Sequence, residues 1–125
     1  MDTHKRGNAG EELAVRFLAE NGYDVIARNY RLKDAEIDIV FKDVKNVGYG
    51  VDEYIVFAEV KYRSSDLYGY GSEAVNSLKI KKIIRAARHF LYTFNYPDDT
   101  AVRFDVISIC NGSIDHIMNA FTHQS

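Results

Sequence analysis

A chain of 125 residues, 46% hydrophobic and 27% charged, is expected to fold as a single domain over its whole length, 1–125. Its net charge of −2 excludes a molecule that is basic all round, so any binding of nucleic acid must come from a local basic face. A single cysteine, Cys110, excludes an internal disulfide, and the polar start Met1-Asp2-Thr3-His4-Lys5, with no long apolar run, predicts a cytoplasmic protein with no membrane partner.

In chain order, Asn8 to Asn21 reads as a helix, with Leu13, Ala14, Phe17 and Leu18 at helical spacing and Gly22 as its stop. The helical phase puts Glu11 on the flank of the apolar stripe and Glu12 toward solvent. Tyr23 to Arg31 is a first strand, Lys33-Asp34-Ala35 a turn, and Glu36 to Lys42 a second strand. Asp43 to Glu53, with Gly48 and Gly50 among polar residues, reads as a long hairpin loop. Tyr54 to Tyr62 is a third strand and Ser64 to Gly71 a loop.

Ser72 to Phe94 is a long helix with Ser72 as a candidate N-cap. Its phase turns Lys79 inward, in line with Ile83 and Phe90, and gathers Lys81, Lys82, Arg85, Arg88 and His89 on the opposite side. Val102 to Cys110 and Ser113 to Met118 are two further strands joined at Asn111-Gly112. The order α-β-β-β-α-β-β predicts an α/β fold with one mixed central sheet flanked by helices, and a right-handed parallel crossover through the long helix.

The chemistry concentrates on two strands, Glu36-Ile37-Asp38-Ile39-Val40-Phe41 and Ile55-Val56-Phe57-Ala58-Glu59-Val60-Lys61. Side chains alternate along a strand, so Glu36 shares a face with Asp38, and Glu59 shares one with Lys61. Acids and a lysine interrupting apolar strands are costly unless something pairs them, and a divalent cation beside a lysine does so. Hard oxygen ligands hold Mg²⁺ or Mn²⁺, and a lysine stabilises charge that develops on a phosphate. Asp38 and Glu59 are the candidate carboxylate ligands, the Val60 carbonyl a further one, and Glu11 the acid that completes the set from the first helix. Lys61 is the candidate charge stabiliser, and Lys79 a second inward cation. The same residues also fit plainer roles: cross-strand ion pairs for Asp38, Glu59 and Lys61, a dipole-facing acid for Glu11, a snorkelling lysine for Lys79 and a solvated face for Lys81, Lys82, Arg85 and Arg88.

The sequence Asp38…Glu59-Val60-Lys61 resembles the PD-(D/E)xK signature of restriction-endonuclease-like nucleases. The match is closer to the YraN-like family of small bacterial predicted endonucleases, followed from Gly7–Glu11 through Asn29–Arg31, Ala35–Asp38, Glu59–Arg63, Lys79 and Arg103–Asp105 to Asn119–Phe121. Gly7 and Glu11 are also similar to the first-helix motif of archaeal Holliday-junction resolvases. Ile37 stands where the signature has proline, and Ala35 where the family usually has glycine.

The resemblance implies a restriction-endonuclease-like fold. It also implies Asp38, Glu59, Lys61 and Lys79 as catalytic residues, with Glu11, Asp38, Glu59 and Val60 around Mg²⁺ or Mn²⁺. The expected activity is phosphodiester hydrolysis, with branched or structured DNA as substrate and a homodimer suited to its two-fold symmetry. Lys81, Lys82, Arg85 and Arg88 are the expected phosphate contacts. The alternative is a non-catalytic nucleic-acid-binding or protein-docking module that keeps the fold.

Overall fold

The structure is a computed structural model that describes residues 3–63 and 77–121, with side chains described for residues 9–62 and 77–121. The sequence-predicted loop Ser64 to Gly71 and the N-cap Ser72 lie outside the described residues. Helix α1 (Thr3–Glu20) is followed by strands β1 (Asp24–Arg31), β2 (Glu36–Val47) and β3 (Gly50–Arg63), helix α2 (Ser77–Thr93), and strands β4 (Val102–Cys110) and β5 (Ser113–Ile117). Among the described residues this layout of helices and strands is compatible with the expected α/β fold.

The strands form one mixed sheet in the order β1-β2-β3-β4-β5. Only β3 and β4 run parallel, as expected for strands joined through a helix, and the other pairs are antiparallel. Along β3, alternate residues enter two cores. Ile55 and Phe57 pack with Ile83, Ala87 and Phe90 of α2, while Val56 and Ala58 pack with Ala14 and Leu18 of α1. The sheet is therefore covered by one helix on each face.

Both helices end as their sequences demand. Gly22 has φ 85°, and the N–H of Tyr23 reaches the carbonyl of Leu18 at 3.0 Å. Asn95 has φ 60°, and the N–H of Tyr96 reaches the carbonyl of Leu91 at 2.9 Å. Each is a left-handed residue capping the helix with a bond back across its last turn.

The segment Asp43 to Glu53 is not the expected loop. β2 and β3 continue through it in register, from Asp43↔Tyr54 to Val47↔Gly50, around a turn at Gly48 and Tyr49. The pairing of β3 with β4 begins only at Ile55↔Val102, so beyond it the hairpin stands out as a two-stranded ribbon. Main-chain bonds to the partner strand hold such a ribbon without a core, so polar residues persist in both strands and hide the strand pattern.

Candidate functional site: a carboxylate and lysine cluster where two strands part

The pairing of β2 with β3 stops at Ile39↔Ala58, while β3 keeps its pairing with β4 as far as Arg63↔Cys110. Past Ala58, one edge of β3 is therefore open toward Asp38. The Val60 N–H fills part of this gap by donating to Asp38 Oδ2 at 2.8 Å. The N–H and C=O of one strand residue leave on the same side, so the Val60 carbonyl projects toward the same gap.

α1 brings Glu11 to this place. A Cβ on Gly10 would meet the Tyr62 ring at 2.9 Å, so the glycine is what lets α1 lie so close to the end of β3. Glu11 is buried, and its neighbour Glu12 is exposed and paired to Arg28 at 2.8 Å, as the helical phase requires. Asn29, at φ 53° on β1, donates its side-chain amide to Glu11 Oε1 at 2.6 Å.

One carboxylate oxygen each from Glu11, Glu36 and Asp38 lie within 4.8 Å of one another. Sequence reasoning left Glu36 outside the candidate set. The available signal was its alternation with Asp38, which puts the two acids on one face of β2. Glu59 faces the same depression from β3, but its Oε1 is paired to Lys61 at 3.2 Å and to Lys79. The expected ligands Asp38 and Glu59 thus have different neighbours: two further acids around Asp38, two lysines around Glu59. Glu59 Oε2 is buried with no hydrogen-bond partner among the described residues.

The depression has a volume of about 470 Å³, and Asp34, Glu36, Asp38, Glu59, Lys79 and Lys82 are among its walls. Lys82 therefore does not belong to the outer face of α2, where the helical phase had put it. Arg85 is exposed but paired to Asp34 at the rim of the depression. Lys81 and Arg88 are exposed on the outer side.

Burial pushes the Asp38 carboxyl up to about 7, with the neighbouring charges of Glu59, Glu36 and Glu11 acting the same way and the Val60 N–H opposing them. Burial and the adjacent Lys79 hold the Lys61 ammonium below the usual lysine range. For Lys79, burial acts downward, but the contacts with Glu59 and Lys61 and the nearby charges of Glu59 and Asp38 together outweigh it and raise the ammonium above the usual lysine range.

The raised Asp38 value has a consequence for stability. Folded, Asp38 keeps its proton to a higher pH than unfolded, so between about pH 4 and 7 the fold loses stability as pH rises. Asp38→Asn keeps an acceptor for Val60 and carries no charge. Urea unfolding at about pH 8 without metal is expected to find it more stable than the wild type by about 3–4 kcal/mol, a gap that closes toward pH 4. A gap independent of pH contradicts the assignment.

A second buried set was not anticipated. Arg103 on β4 holds Asp105 with two bonds, at 2.9 and 2.8 Å, and reaches across to Asp43 on β2 at 2.6 Å. His116 Nε2 lies 2.7 Å from Asp105 Oδ2, and the N–H of Asn119 donates to Asp105 Oδ1 at 2.9 Å. These groups are enclosed by Tyr54, Tyr23 and Phe41, with the rings of Tyr23 and Phe41 edge-on to His116. All the acids here are tied by donors, which suits a structural lock.

Comparison with known proteins places the chain. The profile of the uncharacterised protein family UPF0102 matches residues 10–109. A UPF0102 protein of Clostridioides difficile strain 630 is 40% identical over 123 residues, covering 97% of this chain and 100% of its own length. One from Persephonella marina is 39% identical over 116 residues, covering 93% and 92%. One from Shewanella sediminis is 43% identical over 117 residues, covering 94% and 92%. The chain belongs to the UPF0102 family, the YraN-like proteins.

Proposed function

We propose that this UPF0102 chain is a divalent-metal-dependent nuclease with a restriction-endonuclease-like fold, hydrolysing phosphodiester bonds in DNA at the depression between β2, β3 and α2. The observation that carries this reading is the meeting of four carboxylates and two inward lysines at the point where β2 and β3 part. Glu36 is also paired to Arg31 at 3.3 Å, yet four carboxylates meet in one place and one Glu59 oxygen is left buried with no hydrogen-bond partner among the described residues.

The donor set fits a hard cation. Glu11, Glu36 and Asp38 offer carboxylate oxygens, Glu59 Oε2 a further one, and Val60 a carbonyl, all suited to Mg²⁺ or Mn²⁺. Bound there, the ion supplies charge neutralisation and lowers the pKa of a coordinated water. The chain's own residues do the rest. Asn29 fixes the Glu11 carboxylate and the Val60 N–H fixes Asp38. Glu59 holds Lys61 and Lys79 together, with Lys79 in the wall of the depression and Lys61 behind the same carboxylate, so both positive charges act on a phosphate entering it. Their charge then stabilises the negative charge that builds on the phosphate oxygens in the transition state. A branched or structured DNA substrate and a homodimer to match its symmetry complete the proposal.

A second reading has one observation in its favour. Glu59 Oε1 is already satisfied by two lysines, as in a module that binds nucleic acid or docks a protein without cutting. Calorimetry with Mn²⁺ separates the two. The wild type is expected to bind one ion, with Asp38→Ala and Glu36→Ala each weakening binding at least tenfold and with proton release below about pH 7 as Asp38 ionises. Equal Mn²⁺ affinity in wild type and both variants, with no cleavage of branched, nicked or single-stranded DNA, establishes the non-catalytic reading.

A further inference from the structure

The outer side of α2 carries Lys81, Arg85, Arg88 and Tyr92. Their spacing of four, three and four residues puts them in one row along the helix. Tyr92 ends this row and is 85% exposed. Tyr49 at the hairpin turn is as exposed, but Tyr92 alone stands in line with three cations, with its ring face open to solvent. Beside it, at the end of α2, lies a second depression of about 1010 Å³, walled by Arg88, His89, Tyr92, Asn95, Tyr96 and Asp98 among others. His89 is oriented there by the Tyr30 hydroxyl on Nδ1.

The row is continuous with the acidic depression. Asp34 is a wall of that depression and is also the partner of Arg85. From Lys79 in the first depression to Tyr92 in the second, the path follows α2 for about 20 Å, at a rise of about 1.5 Å per residue. One end of the path offers a place for a phosphate to react, the middle offers cations, and the far end offers aromatic faces, an amide and a carboxylate. A folded protein partner or a lipid surface calls for an apolar patch, whereas the only large apolar surface in the row is a single tyrosine. A duplex has its bases stacked internally and gives an exposed ring nothing to stack on. A single strand presents both phosphates and free base faces.

We infer that α2 is a track for single-stranded nucleic acid: a strand leaves the acidic depression along Arg85 and Arg88 and stacks an unpaired base on Tyr92 in the second depression. This rests on the nuclease reading for its direction and narrows the substrate to DNA with an unpaired arm of a few nucleotides beside the cut. The binding itself requires no cleavage, so it is tested without metal.

The measurement is fluorescence anisotropy in EDTA, with a labelled oligothymidine and a blunt duplex of matched length. The wild type is expected to prefer the single strand. Tyr92→Ala should weaken single-strand binding about tenfold while leaving duplex binding within twofold, and Tyr92→Phe should keep wild-type affinity because the stacking face remains. Lys81→Glu with Arg88→Glu should flatten the salt dependence on the single strand by about 1.4, the slope expected for two phosphate contacts. These side chains are exposed, so the variants are expected to melt like the wild type. Unchanged single-strand affinity in Tyr92→Ala overturns the track, as does an equal loss on duplex. Tighter binding to phosphatidylserine vesicles than to oligothymidine also overturns it, in favour of a lipid surface. Should cleavage fail while Tyr92-dependent single-strand binding persists, the nuclease reading falls and the track stands.

Discussion

Replacing Arg103 with methionine is expected to destabilise the fold by about 3–5 kcal/mol, the usual cost of removing one partner from a buried ion pair. Arg103 is 8% exposed, and its two acid partners, Asp43 at 3% and Asp105 at 0%, are enclosed more completely still. Methionine fills much of the volume but offers no donor, which leaves two carboxylates buried without their cation. Arg103→Lys is expected to recover little, since a single ammonium cannot reproduce the two-pronged bond to Asp105 while also reaching Asp43.

The pH dependence identifies the cause. Burial alone would raise the Asp105 carboxyl, but hydrogen bonds from His116, Arg103 and the Asn119 N–H outweigh it and hold the group below its ordinary value. With its folded value lowered, the wild-type acid contributes stability that is present above its unfolded value of about 3.9 and is lost as pH falls through the folded one. In Arg103→Met, Asp105 loses the guanidinium that helps hold it down and takes up its proton at higher pH. The deficit is therefore expected to be largest near neutrality and to shrink toward about pH 5. Urea unfolding at the two pH values reads this directly. A deficit under about 1 kcal/mol at neutral pH, or one that does not change with pH, removes the lock from the account of this fold.

Lys61→Ala is expected to lower the rate of DNA cleavage by about 10²–10³-fold, the range found when one donor to a developing oxyanion is removed. Affinity for the same DNA without metal should change by less than threefold. The asymmetry follows from position. Lys61 is only 18% exposed and is paired at 3.2 Å to Glu59, a wall of the depression, so in the proposed reaction it acts on the reacting phosphate rather than on the flanking backbone. Charge that appears only in the transition state is felt in the rate and hardly in binding. Single-turnover cleavage and anisotropy on one substrate distinguish the outcomes. A Lys61→Ala protein that cuts as fast as the wild type excludes Lys61 from the chemistry.

The sequence by itself determined most of the elements, the ribbon from Asp43 to Glu53 excepted, and much of the cluster. An unbroken apolar run marks Ile55 to Ala58 as a strand buried on both faces, and Glu59 and Lys61 interrupt that run where the burial ends. Helical phase separates Glu11 from Glu12 and turns Lys79 toward Glu59, because 3.6 residues per turn fix the side of a helix on which each residue lies. The left-handed stop at Gly22 is local for the same kind of reason: only the backbone of the last turn is involved.

What the tertiary structure decided is whatever depends on partners distant in the chain. Glu36 and Asp38 become a three-acid group only when α1 lays Glu11 over the parting strands, a placement set by the close approach of Gly10 to Tyr62. Lys82 turns into the depression although its helical phase lies off the core stripe, because the β1–β2 turn at Asp34 and Ala35 builds a wall beside it. Asp43 sat in what the sequence presents as a polar loop. It is a buried strand residue because Arg103, on β4 and beyond the intervening β3, supplies the cation that makes its burial tolerable. A charge is placed by the field of its neighbours, and local pattern carries no information about neighbours brought together from sixty positions away.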